Sequence, residues 1–260
     1  MSTIVKVRRG LNIPMEGRAE NVLVRKNMSE TYGVKPLDFP GLLPKLEVQE
    51  GDVVRAGTPL FYDKYRPEVK FSSPVSGEVV EIRRGERRQI LEVVVKANGS
   101  VEYQVFGAAQ PAALTRNQVV EKLLVSGVWP YIRQRPFGIV ANPNDTPKAI
   151  FISCFDTAPL APDMDFSIQG EDENFQAGID ALSKLTPGKI HLGLNADYPA
   201  ASAFAKANGV EHHYFRGPHP AGNVGVHIHH IDPIGKGDVV WVVNPLDVVI
   251  IGRLFLKGIY

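Results

Sequence analysis

Six of the chain's seven histidines fall within residues 212–230: His212, His213, His219, His227, His229 and His230. Imidazole is the commonest transition-metal ligand and titrates near neutral pH, so such density raises metal binding and proton transfer first. On a strand, His227 and His229 would share one face and could hold a metal with His219 from the preceding loop. Glu211 and Asp232 lie near in sequence as carboxylate ligands. The plainer reading makes these histidines polar packing residues and loop hydrogen-bonders at a sheet edge. His219 sits in Gly217-Pro218-His219-Pro220-Ala221-Gly222, a stiff loop bounded by glycines, and could hydrogen-bond a ligand carbonyl where that loop borders a pocket.

Arg133 and Arg135 stand beside Trp129 and Tyr131, a combination suited to an interface or an anion because arginine and aromatics are enriched at binding hot spots. The candidate ligand or interface contacts are therefore His219, His227, His229, Arg133 and Arg135. Arg83, Arg84, Arg87 and Arg88 cluster around Gly85 with Glu81 and Glu86 interleaved, which reads as a solvated hairpin tip. Asp163, Asp165, Glu171, Asp172 and Glu173 read as an acidic loop and helix start, favoured by the helix dipole without any catalytic role. Cys154 is the single cysteine, which rules out an intramolecular disulfide or a cysteine-only cluster, and its place after an apolar strand predicts burial. No GxGxxG follows a predicted strand and no GxxxxGK[ST] occurs, so no catalytic or cofactor-binding residue is assigned.

These residues belong to a chain of 260 amino acids, 44 % hydrophobic, with a formal net charge of +1. That balance excludes a protein whose affinity comes from neutralising many phosphates, so no nucleic-acid partner is expected. No apolar run approaches the roughly 20 residues needed to span a bilayer, and no apolar segment follows Lys6, Arg8 and Arg9 to make a signal peptide. A reducing cytoplasm, with membrane association only through partner proteins, is the expected setting.

The elements that must position the candidates divide near residue 110, and 108–113 reads as a linker. Strands are predicted over 45–48, 59–62, 69–71, 78–82 and 90–95 from alternation and β-branched content, joined by Gly-rich turns. Beyond the linker, Thr115 and Gln118 form a capping box for a helix that Gly127 can end. Strands at 149–153, 189–194 and 210–215 then alternate with helices at 172–185 and 199–207, which argues for a parallel sheet with right-handed crossovers. A last strand at 239–243 leads into a helix capped by Asn244, with Pro245 first and Gly258 beyond its end. That helix is apolar on several sides and the chain stops soon after it, so a longer natural protein is expected.

The β-rich part resembles the lipoyl/biotinyl-like sandwich family through Val48-Gln49-Glu50-Gly51-Asp52-Val53-Val54, Ala56-Gly57, Pro59-Leu60 and Ser73-Pro74-Val75-Ser76-Gly77-Glu78-Val79-Val80. Carriers of that family present a modifiable lysine between hydrophobic residues at the central hairpin. Here the hairpin reads Asp63-Lys64-Tyr65-Arg66-Pro67-Glu68, with its tip expected near Arg66-Pro67, so a scaffold is expected rather than a swinging arm. The opening Val7-Arg8-Arg9-Gly10-Leu11-Asn12-Ile13-Pro14 resembles the start of the NqrA family, a subunit of sodium-translocating NADH:quinone reductases. Pro40-Gly41-Leu42-Leu43-Pro44, Arg135-Pro136-Phe137, Ile150-Phe151-Ile152-Ser153, Asp156-Thr157-Ala158-Pro159-Leu160-Ala161, Gly217 to Gly222 and His227-Ile228-His229 follow in that family's order.

The resemblance implies three parts: an N-terminal segment over 1–35, a lipoyl/biotinyl-like β sandwich over 36–107, and a Rossmann-like parallel α/β domain over 114–260. It further implies a peripheral subunit on the cytoplasmic side of the bacterial inner membrane, inside a complex that oxidises NADH, reduces ubiquinone and exports sodium. FAD, FMN, iron–sulfur centres and quinone would sit in other subunits. This chain would bind no metal and no cofactor and be inactive alone, serving as scaffold and docking body, with shaping of ubiquinone access as a further role. The family resembles, more distantly, the flavin- and NADH-binding subunit of respiratory complex I. That subunit wraps flavin phosphate with a glycine-rich loop after its first helix. Here the equivalent stretch from Gly127 to Gly138 carries bulky residues, and Pro130 and Pro136 remove N–H donors, so the fold is expected to persist without the flavin site.

Overall fold

The computed structural model describes residues 4–17, 19–24 and 26–260. In chain order its first elements are β1 (Ile4–Lys6), β2 (Thr31–Val34), β3 (Pro44–Leu46), β4 (Val53–Val54), β5 (Pro59–Asp63), β6 (Arg66–Ser72), β7 (Gly77–Arg84) and β8 (Ile90–Ala97). Then come α1 (Arg116–Ser126), β9 (Arg133–Arg135), β10 (Ile139–Val140), β11 (Ala149–Ser153), α2 (Met164–Ser167) and α3 (Asp172–Ser183). The rest are β12 (Ile190–Asn195), α4 (Ser202–Ala205), β13 (Glu211–Arg216), α5 (Val224–Ile231), β14 (Val240–Val242) and α6 (Pro245–Lys257).

The first body is an antiparallel sandwich, with sheet β2-β8-β7-β4 facing sheet β3-β5-β6. Inward residues of both sheets, among them Leu60, Phe61, Val69, Val79, Val93 and Val95, have no solvent exposure, and Phe61 stacks on Phe71 at 5.0 Å. All five expected strands are present, with ends displaced by up to three residues. The β5–β6 hairpin corrects one expectation: its turn is Lys64-Tyr65, not Arg66-Pro67. Asp63 closes that turn by accepting from the Tyr65 N–H and from Arg66 Nε at 2.9 Å, which draws Arg66 into the strand. Arg66 also donates to the Val140 and Ala141 carbonyls, so the hairpin is fastened to the second body.

The second body is a seven-stranded sheet in the order β1-β13-β12-β11-β14-β9-β10. Strands β1, β13, β12, β11 and β14 run parallel; β9 and β10 are antiparallel additions. From β11 the chain steps outward through β12 to β13, then returns to lay β14 on the other side of β11. The N-terminal segment gives one strand to each body, β1 here and β2 in the sandwich.

Local chemistry starts the helices as expected. Thr115 and Gln118 form the capping box of α1, and Asn244 caps α6, which ends at left-handed Gly258. Two expectations fail. The helix expected over 199–207 is the single turn α4. The stretch holding His227 and His229 is helix α5, not strand. The return from β13 to β14 must cross and cover a sheet face, and Asn223, whose side chain accepts from the Gly225 N–H, starts a helix there.

Helices α3 and α6 meet backbone to backbone. A Cβ on Gly252 would run into the Asn174 carbonyl, and one on Gly178 into the Val248 carbonyl. Small residues permit this close crossing, and Phe175, Ile179, Leu182, Val248, Ile251 and Phe255 close around it. One continuous apolar cluster runs from the sandwich through α1 and Trp129 into this helix pair. Replacing Gly252 by alanine forces the helices apart, and the expected loss is about 3 kcal/mol, read as a lowered urea midpoint at unchanged slope.

Candidate functional site

A cleft of about 400 Å³ opens at the carboxyl ends of β11 and β14. Those strands are neighbours reached by crossovers in opposite directions, and open α/β sheets place ligand sites at such a reversal. Ser153 and Asp156 border it from the end of β11, Asn244 and Asp247 from the start of α6, and Asn223 from the start of α5. The N-termini of α5 and α6 therefore both abut the cleft and lend it positive potential.

Three of the five sequence candidates come together here: Arg133, Arg135 and His219. Arg133 and Arg135 alternate on β9, which runs antiparallel beside β14 with Arg133 opposite Val242 and Arg135 opposite Val240. Arg133 lies over the Phe39 ring at 4.8 Å, and its Nη1 and the Nε of Arg135 are shielded from solvent without a protein partner. Burial lowers the Arg133 guanidinium from its ordinary value despite Asp247 and Asp38 nearby. Burial also raises the Asp247 carboxyl to about 6, against the opposing pull of Arg133 and a backbone hydrogen bond. Tyr131 lies alongside with its phenol raised, again chiefly by burial. The cleft thus concentrates donors and positive charge in a poorly solvated setting, with capacity for a carbonyl or an anion.

The His219 loop is clasped from both sides. The Leu11 N–H donates to the His219 carbonyl at 3.0 Å, and the His219 N–H donates to Asn12 Oδ1 at 2.9 Å. Gly10, at φ +152°, makes that approach possible, since a Cβ there would strike the His219 carbonyl. On the other side, Thr157 Oγ1 accepts the Gly222 N–H and lies 3.1 Å from His219 Nδ1. That contact holds Nδ1 of the ring, leaving Nε2 as the ring nitrogen without a protein partner among the described residues. Ser153 Oγ donates to the Gly222 carbonyl at 2.8 Å, fixing the loop to the end of β11.

His227 and His229 do not join His219. His227 is buried under the loop, stacked on Phe215 at 4.0 Å, with Nε2 2.8 Å from the Ala221 carbonyl. Burial pushes its pKa down to about 4, so it is a neutral packing group that props the loop from beneath. Gly193 makes room for its ring. His229 is exposed on the outer side of α5. The histidine–carboxylate group that the fold does assemble is different: His191, Glu211 and His213, on β12 and β13. His191 drew no attention in the sequence because it lies well before the 212–230 cluster. Asp247 was also missed; an acid in the first turn of a helix reads as a dipole partner, and only the strand order reveals that this turn borders a cleft.

The Asp247 environment fixes a pH dependence. Its native value of about 6 lies above the ordinary 3.8, so between pH 4 and 6 the folded state keeps a proton that the unfolded chain has released. The group therefore costs stability progressively as pH rises through that window, up to about 3 kcal/mol. Asp247→Asn should remove this component: its melting temperature relative to the unsubstituted protein is expected to be higher at pH 7 than at pH 4.

Residues 5–98 match the family model described as the NqrA N-terminal barrel-sandwich hybrid domain, and residues 114–260 match the NqrA second alpha/beta domain. The chain is 40% identical over 259 residues to the NqrA subunit of the Na(+)-translocating NADH-quinone reductase of Neisseria meningitidis. It is 38% identical to the corresponding subunit of Alcanivorax borkumensis and to that of Pasteurella multocida. In each case 98% of this chain and 57% of the relative are aligned, so the chain spans little more than half the length of these relatives. A sandwich and a Rossmann-like domain in this order, matched along nearly all of the chain, place it in the NqrA family of Na(+)-translocating NADH-quinone reductase subunits.

Proposed function

We propose that this chain forms the body of a peripheral subunit in a sodium-translocating NADH:quinone reductase on the cytoplasmic face of the bacterial inner membrane. It acts as scaffold and docking surface and carries no FMN or NADH site of its own. FAD, FMN and iron–sulfur centres belong to other subunits, and the isolated chain is inactive. The observation that carries this reading is the packing of the 127–138 loop. Val128, Trp129 and Ile132 are fully buried, Trp129 Nε1 donates to the Ala141 carbonyl at 2.8 Å, and its ring meets Trp241 edge-on at 5.5 Å. A phosphate cradle needs exposed, converging N–H groups; here the first part of the stretch, from Val128 to Ile132, is packed into the core, and Arg133–Arg135 is strand β9.

Docking is supported by the N-terminal segment. Leu11, Ile13, Met15, Val22, Leu23 and Val24 are all more than half exposed, an apolar concentration that marks a contact surface. Among the described residues no helix is long and apolar enough to cross a membrane, which fits attachment through partner subunits. The cleft offers a second role, receiving a ubiquinone head group whose carbonyls accept from His219 and the arginines.

Two measurements check these roles in the assembled complex. A photo-crosslinking residue at Leu23 is expected to capture a membrane subunit; crosslinks confined to this polypeptide would overturn the docking role. His219→Ala is expected to raise the KM for quinone severalfold while NADH oxidation by an artificial acceptor is unchanged. An unchanged KM would remove quinone from the cleft. Stoichiometric flavin in the polypeptide purified on its own would refute the cofactor-free reading.

A further inference from the structure

At the amino-terminal ends of β12 and β13, on the sheet face that α5 covers, three metal-ligating side chains converge. The parallel register sets His191 opposite Glu211 and Gly193 opposite His213, so the three project from one face of adjacent strands. His191 Nδ1 lies 2.9 Å from His213 Nε2, and Glu211 Oε2 lies 3.5 Å from the first and 3.8 Å from the second. Four-coordinate zinc, with bonds of about 2.0–2.1 Å to nitrogen and oxygen, needs ligand atoms about 3.3 Å apart. The observed triangle brackets that separation, and the two imidazoles need to part by only a few tenths of an ångström.

We infer that His191, His213 and Glu211 form a binding site for a divalent transition metal, zinc by preference, with three protein ligands and a fourth position open to solvent. Two imidazoles and one carboxylate suit zinc and its neighbours, whereas sodium, magnesium and calcium favour all-oxygen shells. The surroundings support ligation. Burial lowers both histidines from their ordinary values against the opposing pull of Glu211, with His213 adding to the effect on His191 and His212 to that on His213. His191 is 5 % exposed and held against the Phe151 ring at 4.5 Å, which fixes its orientation. Glu211 is exposed and supplies the entry path. Lys189 Nζ sits 3.5 Å from the other Glu211 oxygen, Oε1, leaving Oε2 for the metal. Asp232 adds negative potential from the end of α5 while its own oxygen pairs with Lys148.

A metal here would pin the first residues of β12 to those of β13, at the end of the sheet away from the cleft. The site depends neither on quinone binding nor on docking to other subunits. The test uses the complete polypeptide, purified without a histidine tag and stripped with a chelator, then titrated with zinc chloride. One equivalent is expected to bind with micromolar or tighter affinity, unchanged by millimolar magnesium and by added sodium chloride. Cobalt(II) in place of zinc should give the intense visible absorption of a tetrahedral site. His213→Gln and Glu211→Gln, both at the solvent edge, should each weaken zinc at least tenfold and shrink the rise in melting temperature that zinc gives the unsubstituted protein. His191 is left intact because its burial would make the substitution a test of folding. The paired substitution His229→Gln and His230→Gln, on the exposed side of α5, should leave binding unchanged. Absence of saturable binding, or binding that survives in both edge variants and is lost with the His229/His230 pair, would overturn the assignment.

Discussion

The ladder that lays β14 against β11, instead of beyond β13, is the constraint on which the rest of the molecule depends. Backbone N–H and C=O groups of a buried parallel sheet must be paired, and the hydrophobic run Ala149–Ser153 is covered on both faces and hydrogen-bonded along both edges. Once β12 takes one edge of β11 and β14 the other, the connections leaving these two strands diverge. The gap at their carboxyl ends is the cleft. Its lining then follows: the start of α6 because it continues β14, the start of α5 because it must return from β13, and β9 because it pairs with the outer edge of β14. None of these residues needs to be near another in sequence.

Two close approaches keep that arrangement rigid. The glycine crossing of α3 and α6 fixes the helical layer behind β11 and β14, and with it the direction of the α6 N-terminus. The N-terminal strand β1 extends the sheet beyond β13, and the following residues clasp the His219 loop through Leu11 and Asn12. The sandwich is not a detached module beside this. Arg66 donates into the 140–141 backbone, Ser72 Oγ donates to the Ser126 carbonyl at 3.4 Å, and one apolar cluster runs through both bodies. A carrier arm would need its hairpin free; here Lys64 stands at the turn, but the residues beside it are tied down.

Solvation divides the histidines by role. His227, enclosed by Phe155, Phe215 and the Ala221 carbonyl, gives up its basicity and serves as a shaped apolar plate with one N–H. His219, half-buried at the cleft, keeps a polar partner on each side of its loop. His191 and His213 face one another across a strand pair at hydrogen-bond distance, an arrangement that two charged rings could not keep. The same physics acts on the cleft's charges, where burial sets Arg133 and Asp247 against their ordinary ionisation and leaves guanidinium nitrogens without protein acceptors.

Local chemistry made much of the fold legible in the sequence. The Thr115–Gln118 capping box, Asn244-Pro245 and Gly258 mark helix ends through groups a few residues apart, and the β-branched alternation in 59–95 marks strands that bury one face. Those signals, with the ordered family motifs, were sufficient for a sandwich followed by a Rossmann-like domain. The Arg133, Arg135 and His219 candidates were legible as residue types, but their meeting was not, because it arises from strand order and a reversal of crossovers. The tertiary structure also overruled local pattern. The Val-His-Ile-His-His-Ile alternation looks like a strand, yet the sheet needed a covering helix there, and a turn of α5 sends His227 inward and His229 out. His191 with Glu211 and His213 is a cluster drawn from distant segments, and Asp247 and Arg133 meet only as linings of one cleft. Sequence determines which local hydrogen bonds and apolar faces a segment can offer; only the closed sheet, by fixing which strand edges remain to be paired, decides which side chains share a site.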